Sequence, residues 1–293
     1  MPMLMPTPHI VPACCYRCAY GMSYPECGVL CAKDLERTVI QEGPEYIAAF
    51  LCETVVGAAA AAVTPVDEYY PIIRETCDKY NMLWIADEVM SGAWRTGTFL
   101  AIEQWGVQPD LVVLAKGLSS GYVPLAAILV HERVFKAFEE TRSPYVGGHT
   151  YNAHPVTSAA GLAVLDHLLK NRLHEGVPEK GRLLGDGLKK LATEERLVGN
   201  ARGRGLMWGL EFVKDKETKK PFDPDVKLSL RISAKAMEKG LLIYPVSACA
   251  DGRRGDGALI CPPLCITDEE IAFLLQTLQE TLAEVNKELG GAA

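Results

Sequence analysis

A chain of 293 residues that is 48% hydrophobic and 23% charged has the make-up of a globular protein of about two domains. A formal net charge of −7, with no run of lysines and arginines, argues against a nucleic-acid surface. No apolar stretch reaches the roughly 20 residues that span a bilayer. The proline-rich start MPMLMPTPHIVPA lacks the basic flank of a secretory signal, so the expected location is cytoplasmic, away from membranes.

The first distinctive stretch is CCYRCAYGMSYPECGVLC, which holds Cys14, Cys15, Cys18, Cys27 and Cys31. The Cys15-x-x-Cys18 pair followed by Cys27-x-x-x-Cys31 is open to zinc or an iron–sulfur cluster. The second spacing is loose and no histidine lies within the stretch, so no metal is assigned. The alternative is a loop of reduced, partly buried thiols, and a reducing compartment disfavours a structural disulfide.

Strands and helices then alternate. EYIAAFLCETVV (45–56) is predicted as a buried strand and VDEYYPIIRETCDKYN (66–81) as a helix, with apolar spacing at Tyr69, Ile72, Ile73 and Cys77. MLWIAD (82–87) is a second strand, and FLAIEQWG (99–106) a short helix that Gly106 stops. DLVVLAKG (110–117) and PLAAILVH (124–131) are further strands. Near-continuous apolar strands separated by helices predict an α/β fold with a mostly parallel sheet.

The second half reads differently. HPVTSAAGLAVLDHLLKN (154–171) and EKGRLLGDGLKKLATEER (179–196) are predicted as amphipathic helices, and ARGRGLMWGLEFV (201–213) as one glycine-punctuated strand. A helix over 228–240, a strand LLIYP and a last helix opened by a Thr267–Glu270 capping box follow. The expected division is a larger cofactor-binding domain over 1–171 and a smaller α+β domain over 172–293.

Ligands of such sheets bind at the carboxyl ends of the strands, where Asp87 and Lys116 stand. A carboxylate at one strand end and a lysine at another suit pyridoxal 5'-phosphate. The lysine forms a Schiff base with the cofactor aldehyde, and the aspartate keeps the pyridine nitrogen protonated so that the ring accepts electrons. Displaced by a substrate amine, the same lysine moves a proton. Either residue alone is more often a cap or a solvated charge.

LWIADEVMSGAWRTG (83–97), with PDLVVLAKGLSSGYVPLAA (109–127) after it, resembles the signature of class III pyridoxal-phosphate aminotransferases. GGHTYNAHPVTSAAGLAVL, ARGRGLMWGLEF and CPPLCITDEEI resemble further family segments. The resemblance implies fold type I, a homodimer with active sites at its interface, and amino transfer between an amine or ω-amino acid and a small 2-oxo acid such as pyruvate. It also implies roles. Asp87 pairs with the pyridine nitrogen, Val89 packs on one ring face and Lys116 carries the cofactor. Thr150 serves the phosphate of the neighbouring subunit, Glu53 is a strand-end glutamate beside the site, and Glu88 fixes the loop.

Departures from the pattern concern substrate. Leu259 stands where many members hold a carboxylate-binding arginine, and Ala58 where that arginine's glutamate partner stands. A glutamate left without its arginine would be an unpaired buried charge, so the joint loss is coherent. Arg253 and Arg254 in ACADGRRGDGALICPP are the arginines expected to serve a substrate carboxylate instead. Family members run longer on the N-terminal side, and the resemblance implies that the usual phosphate cup lies there. The expectation is either a truncated product or a natural short form, with weakened cofactor binding and an apolar sheet front. An aminomutase or decarboxylase shares the Asp/Lys frame, and a catalytically silent binding partner is a reading of another kind.

Overall fold

The computed structural model describes residues 7–290. Helix α1 (Leu30–Glu42) buries Ala32, Leu35 and Val39 on one face and ends at Gly43, whose φ of 91° breaks the helix. Strand β1 (Ala49–Glu53) follows, then α2 (Tyr69–Lys79), β2 (Leu83–Asp87) and a 3-10 turn over Ala101–Trp105 that Gly106 stops at φ 66°. Next come β3 (Leu111–Leu114), a 3-10 turn over Lys116–Ser119, β4 (Ala127–Val130), α3 (Glu132–Thr141) and α4 (Pro155–Lys170). The order is completed by α5 (Val177–Glu194), β5 (Val198–Arg204), β6 (Met207–Phe212), α6 (Leu228–Glu238), β7 (Tyr244–Ser247), β8 (Asp256–Ile260) and α7 (Asp268–Glu288).

Strands β1, β2 and β3 pair in parallel, and β4 closes that sheet antiparallel to β3. The second sheet has the order β5-β6-β8-β7 and is antiparallel throughout. Residues 201–213, expected as one strand, are therefore a hairpin that turns at Gly205-Leu206. The expected strand LLIYP begins only at Tyr244, and β8, α1 and α3 have no counterpart in the sequence reading.

The second sheet carries α5, α6 and α7 on a core that includes Leu184, Leu188, Phe212, Ile232 and Leu278. In the first core, Tyr70 stacks on Trp84 at 5.4 Å and meets Trp105 edge-on at 5.0 Å. Met207, Val246 and Leu259 of the second sheet pack into that same core, which couples the two sheets. Elsewhere the first sheet is open. Leu51, Ile128 and Val130 are exposed, and α4, read as amphipathic, buries only Gly161 and exposes Val156, Leu162 and Leu169. Among the described residues no helix is long and apolar enough to cross a membrane.

Candidate active site

Parallel pairing brings the carboxyl ends of β1, β2 and β3 to one edge. Glu53 lies opposite Asp87, and Asp87 opposite Val113, so Lys116 follows three residues beyond Asp87's own partner. Asp87 Oδ1 accepts from the Val89 amide at 2.9 Å, which turns the chain off the strand. Its other oxygen has no hydrogen-bond partner among the described residues.

Glu88 points the opposite way, into the protein, and is 1% exposed. It accepts from Thr54 Oγ1 at 3.1 Å, Ser91 Oγ at 3.3 Å and the amides of Ala101 and Ile102 at 2.6 and 2.8 Å. Burial pushes its carboxyl up, and these four donors oppose that by stabilising the anion. The two acids that end β2 thus divide the work. Asp87 faces the strand-end edge, while Glu88 ties the following loop to β1 and to the turn at 101–105.

Lys116 adopts a left-handed φ of 42° after the extended Ala115, a conformation that L residues hold only under constraint. The turn is held by Leu118 N on the Ala115 carbonyl at 2.9 Å and by Ser119 Oγ on the Val123 carbonyl at 2.7 Å. Lys116 lines a cavity of about 1020 Å³ with Ala58, Met90, Tyr244, Leu259 and Phe273. Its amine has no hydrogen-bond or ion-pair partner among the described residues. Ala58 and Leu259, the two positions that lack the family's charged pair, therefore share the cavity of the lysine.

Glu53 Oε2 accepts from the Gly57 amide at 2.8 Å and shapes the loop that delivers Ala58. A side chain at Gly57 would lie 2.2 Å from Met90 Sδ, so this loop and the one after β2 pack directly together. Val89 is half-buried beside Asp87. Thr150 lies on the exposed segment 144–153 and does not line the Lys116 cavity.

Arg253 and Arg254 are not in that cavity either. They sit on the β7–β8 loop and line a separate one of about 160 Å³ with Lys227, Ser229 and Ser247. Asp251 accepts from both arginine amides, at 3.0 and 2.7 Å, and from the Arg254 guanidinium. The Arg254 amide and side chain, then the Arg253 amide, hold the Asp251 carboxyl down at about 2.

Two arginines that the sequence reading passed over join the site to the second sheet. Arg202 holds the carbonyls of Ala61 and Ala60 at 3.0 and 2.7 Å. Arg95, on the loop after β2, donates to the carbonyls of Leu206 and Pro262. Both stand in segments marked by the family resemblance, but the bonds that join them across the structure go to carbonyls, which leave no trace in residue type.

The residues present fit pyridoxal phosphate. An unpaired carboxylate oxygen of Asp87 and an unpartnered amine of Lys116 stand at adjacent strand ends, and the cavity of Lys116, which Asp87, Val89 and Glu53 border through their strand ends and loops without lining it, has room for an aromatic ring.

A family model described as aminotransferase class-III matches residues 4–282. An uncharacterized aminotransferase of Schizosaccharomyces pombe is 42% identical over 279 residues, which is 94% of this chain and 60% of that protein. A thermostable (S)-enantioselective omega-transaminase from Thermomicrobium roseum superposes with a TM-score of 0.86 at 36% identity, over 97% of this chain and 62% of that one. An amine transaminase from an uncultivated Pseudomonas species, solved in its PLP-bound form, gives a TM-score of 0.86 at 34% identity, over 94% and 61%. The fold is that of the fold type I transaminases, and the chain spans about three fifths of the length of the proteins it matches.

Proposed function

The chain belongs to the class-III aminotransferase family, and from that premise we propose that it serves a pyridoxal-phosphate-dependent transaminase, moving an amino group from an amine or ω-amino acid to a small 2-oxo acid such as pyruvate. The observation that carries this reading is Lys116, left-handed and unpartnered just past the end of β3, the strand that pairs with β2, whose end holds Asp87 with one free carboxylate oxygen. When bound, pyridoxal phosphate supplies an aldehyde and an electron-withdrawing ring. Asp87 would hold a proton at the pyridine nitrogen, and Val89 would back one ring face. Lys116 Nζ would anchor the cofactor and then move the proton at the substrate carbon. Glu53 supports the site through the Gly57 turn.

The apolar pair Ala58 and Leu259 offers no charge to a carboxylate next to the reacting carbon, which supports an amine or ω-amino acid donor and leaves the carboxylate of the oxo acid to be taken by another group. Arg253 and Arg254, on the glycine-rich β7–β8 loop, are the candidates for that substrate carboxylate, although the cavity they line is separate from that of Lys116. The exposed Thr150 segment and α4 support a homodimer in which Thr150 serves the partner's phosphate. Ten free cysteines suit the reducing cytoplasm.

The test is a visible spectrum of the chain with pyridoxal phosphate, then borohydride reduction and peptide mapping. Cofactor fixed on Lys116 supports the reading, and amine donors are then screened with pyruvate for alanine. Label scattered over surface lysines favours a second reading, a catalytically silent partner of another chain, which the exposure of α4 also suits.

A further inference from the structure

Away from the strand ends, the densest group of nucleophiles is the cysteine-rich segment before α1. Cys14, Cys15, Cys18, Cys27 and Cys31 line one small apolar pocket together with Tyr20. All five are free thiols, and Cys15 alone among them is exposed. The segment is held locally by short turns, such as Gly21 N on the Cys18 carbonyl at 3.0 Å and Cys27 N on the Ser23 carbonyl at 2.9 Å.

What lies between Cys15 and Cys18 matters more. Arg17 pairs with Glu211 of β6, which is wholly buried, and donates to the Lys219 carbonyl at 2.8 Å. Lys219 Nζ in turn donates to the Tyr16 carbonyl at 2.7 Å. The two residues enclosed by the Cys-x-x-Cys pair are those that fasten the segment to the second sheet.

We propose that Cys15 and Cys18 are a peroxide-oxidisable dithiol, and that their disulfide draws Arg17 away from Glu211. Cys15 is the point of entry because it is exposed. Cys14 is a poor partner, since consecutive Cα atoms lie about 3.8 Å apart and a relaxed disulfide needs about 4.4–6.8 Å. Cys31 is committed to α1. Cys18 is three positions on, across a turn at Tyr16-Arg17.

The Cys15 thiolate attacks hydrogen peroxide. A sulfur–oxygen bond forms, the oxygen–oxygen bond breaks, and hydroxide leaves to take up the thiol proton as water. The Cys18 thiolate then attacks the sulfenic sulfur, a sulfur–sulfur bond forms, the sulfur–oxygen bond breaks, and a second water leaves. Two thiols lose two electrons and two protons to one peroxide. Although the residue is exposed, its sulfur is partly enclosed by the pocket; that enclosure, then the neighbouring Cys14, Cys27 and Cys18, push the Cys15 thiol up, so the reaction quickens as pH rises. Closing the ring resets the torsions of Tyr16 and Arg17 and leaves Glu211 with Arg202 alone.

The full chain is treated with hydrogen peroxide, mapped by mass spectrometry without reduction, and melted before and after. The expected result is a Cys15–Cys18 bond and a fall in Tm of roughly 5 °C that dithiothreitol reverses. In Arg17→Ala the reduced protein already melts low and oxidation lowers it no further. In Cys18→Ser the oxidised Cys15 is trapped by dimedone with no change in Tm. A pair that stays reduced, a bond from Cys15 to Cys27 or Cys31 instead, or a Cys15–Cys18 bond with an unchanged Tm overturns the proposal.

Discussion

Arg202 bonds Glu211 through one guanidinium nitrogen, at 2.8 Å, and holds the carbonyls of Ala61 and Ala60 through the other two. Glu211 is wholly buried and the Arg202 side chain is 11% exposed, so the pair is screened little by water. It fixes the loop that delivers Ala58 to the Lys116 cavity. Glu211→Gln leaves Arg17 and Arg202 facing a neutral amide, and stability in denaturant titration should fall by about 3 kcal/mol. Arg202→Lys keeps the charge but loses the fork that reaches both carbonyls, so it should lower stability as well.

The same loop sets a steric prediction. A Cβ on Gly209 would lie 2.0 Å from the Ala61 carbonyl oxygen and 2.3 Å from its carbon, and backbone cannot step aside. A Cβ on Gly57 would lie 2.2 Å from Met90 Sδ, the end of a flexible side chain. Gly209→Ala should cost about 3 kcal/mol or more and Gly57→Ala about 1 kcal/mol, compared by thermal melting.

Asp110 links acid stability to the start of β3. It is buried and accepts from Arg74 at 3.0 Å, from the Trp84 amide at 2.8 Å and from Arg133. Burial alone would raise its carboxyl, but Arg133, the Trp84 amide and Arg74 outweigh it and hold the group below its ordinary value. A depressed folded value stabilises the fold above the unfolded value of about 4, and that contribution is lost as pH falls through the folded one. Asp110→Asn should therefore be destabilised by about 3 kcal/mol at pH 7, and the gap to the parent should close below about pH 4 in urea titrations across pH.

Glu88→Ala removes the acceptor for two hydroxyls and for the amides of Ala101 and Ile102. Orphaning buried donors should cost about 3 kcal/mol. Hydrogen exchange gives the specific readout, because the amides of Ala101 and Ile102 should lose protection while those of α7 keep theirs.

Within the proposed activity, Lys116→Ala should abolish borohydride fixation of pyridoxal phosphate at this site. Asp87→Asn should keep the Val89 turn and the fixation but lower the transamination rate by roughly 10²–10⁴-fold, as loss of a positioned proton partner does. Equal rates in Asp87→Asn and its parent would remove Asp87 from the mechanism.

Local order was readable where its causes are local. The Thr267–Glu270 capping box, read from four residues, is present with both bonds, at 3.2 and 2.8 Å. Gly106 stops its turn as expected. By contrast, ARGRGLMWGLEFV is punctuated by Gly203, Gly205 and Gly209 alike, so nothing in its periodicity singled out Gly205-Leu206 as the place where it folds into a hairpin. The antiparallel direction of β4 was hidden for the same reason, since side-chain alternation is the same in either direction.

What the sequence determined by itself was the chemistry available: Asp87 and Glu88 after one apolar strand, Lys116 after the next, and the absence of charge at Ala58 and Leu259. The tertiary structure decided which of these meet. Register set Glu53 beside Asp87, packing of the second sheet on the first brought Leu259 and Ala58 into the cavity of Lys116, and the β7–β8 loop carried Arg253 and Arg254 to a different one. The reason is physical. Caps and strand ends are settled by atoms a few residues apart, whereas a shared cavity depends on how distant apolar surfaces close on each other, and residue order does not record that.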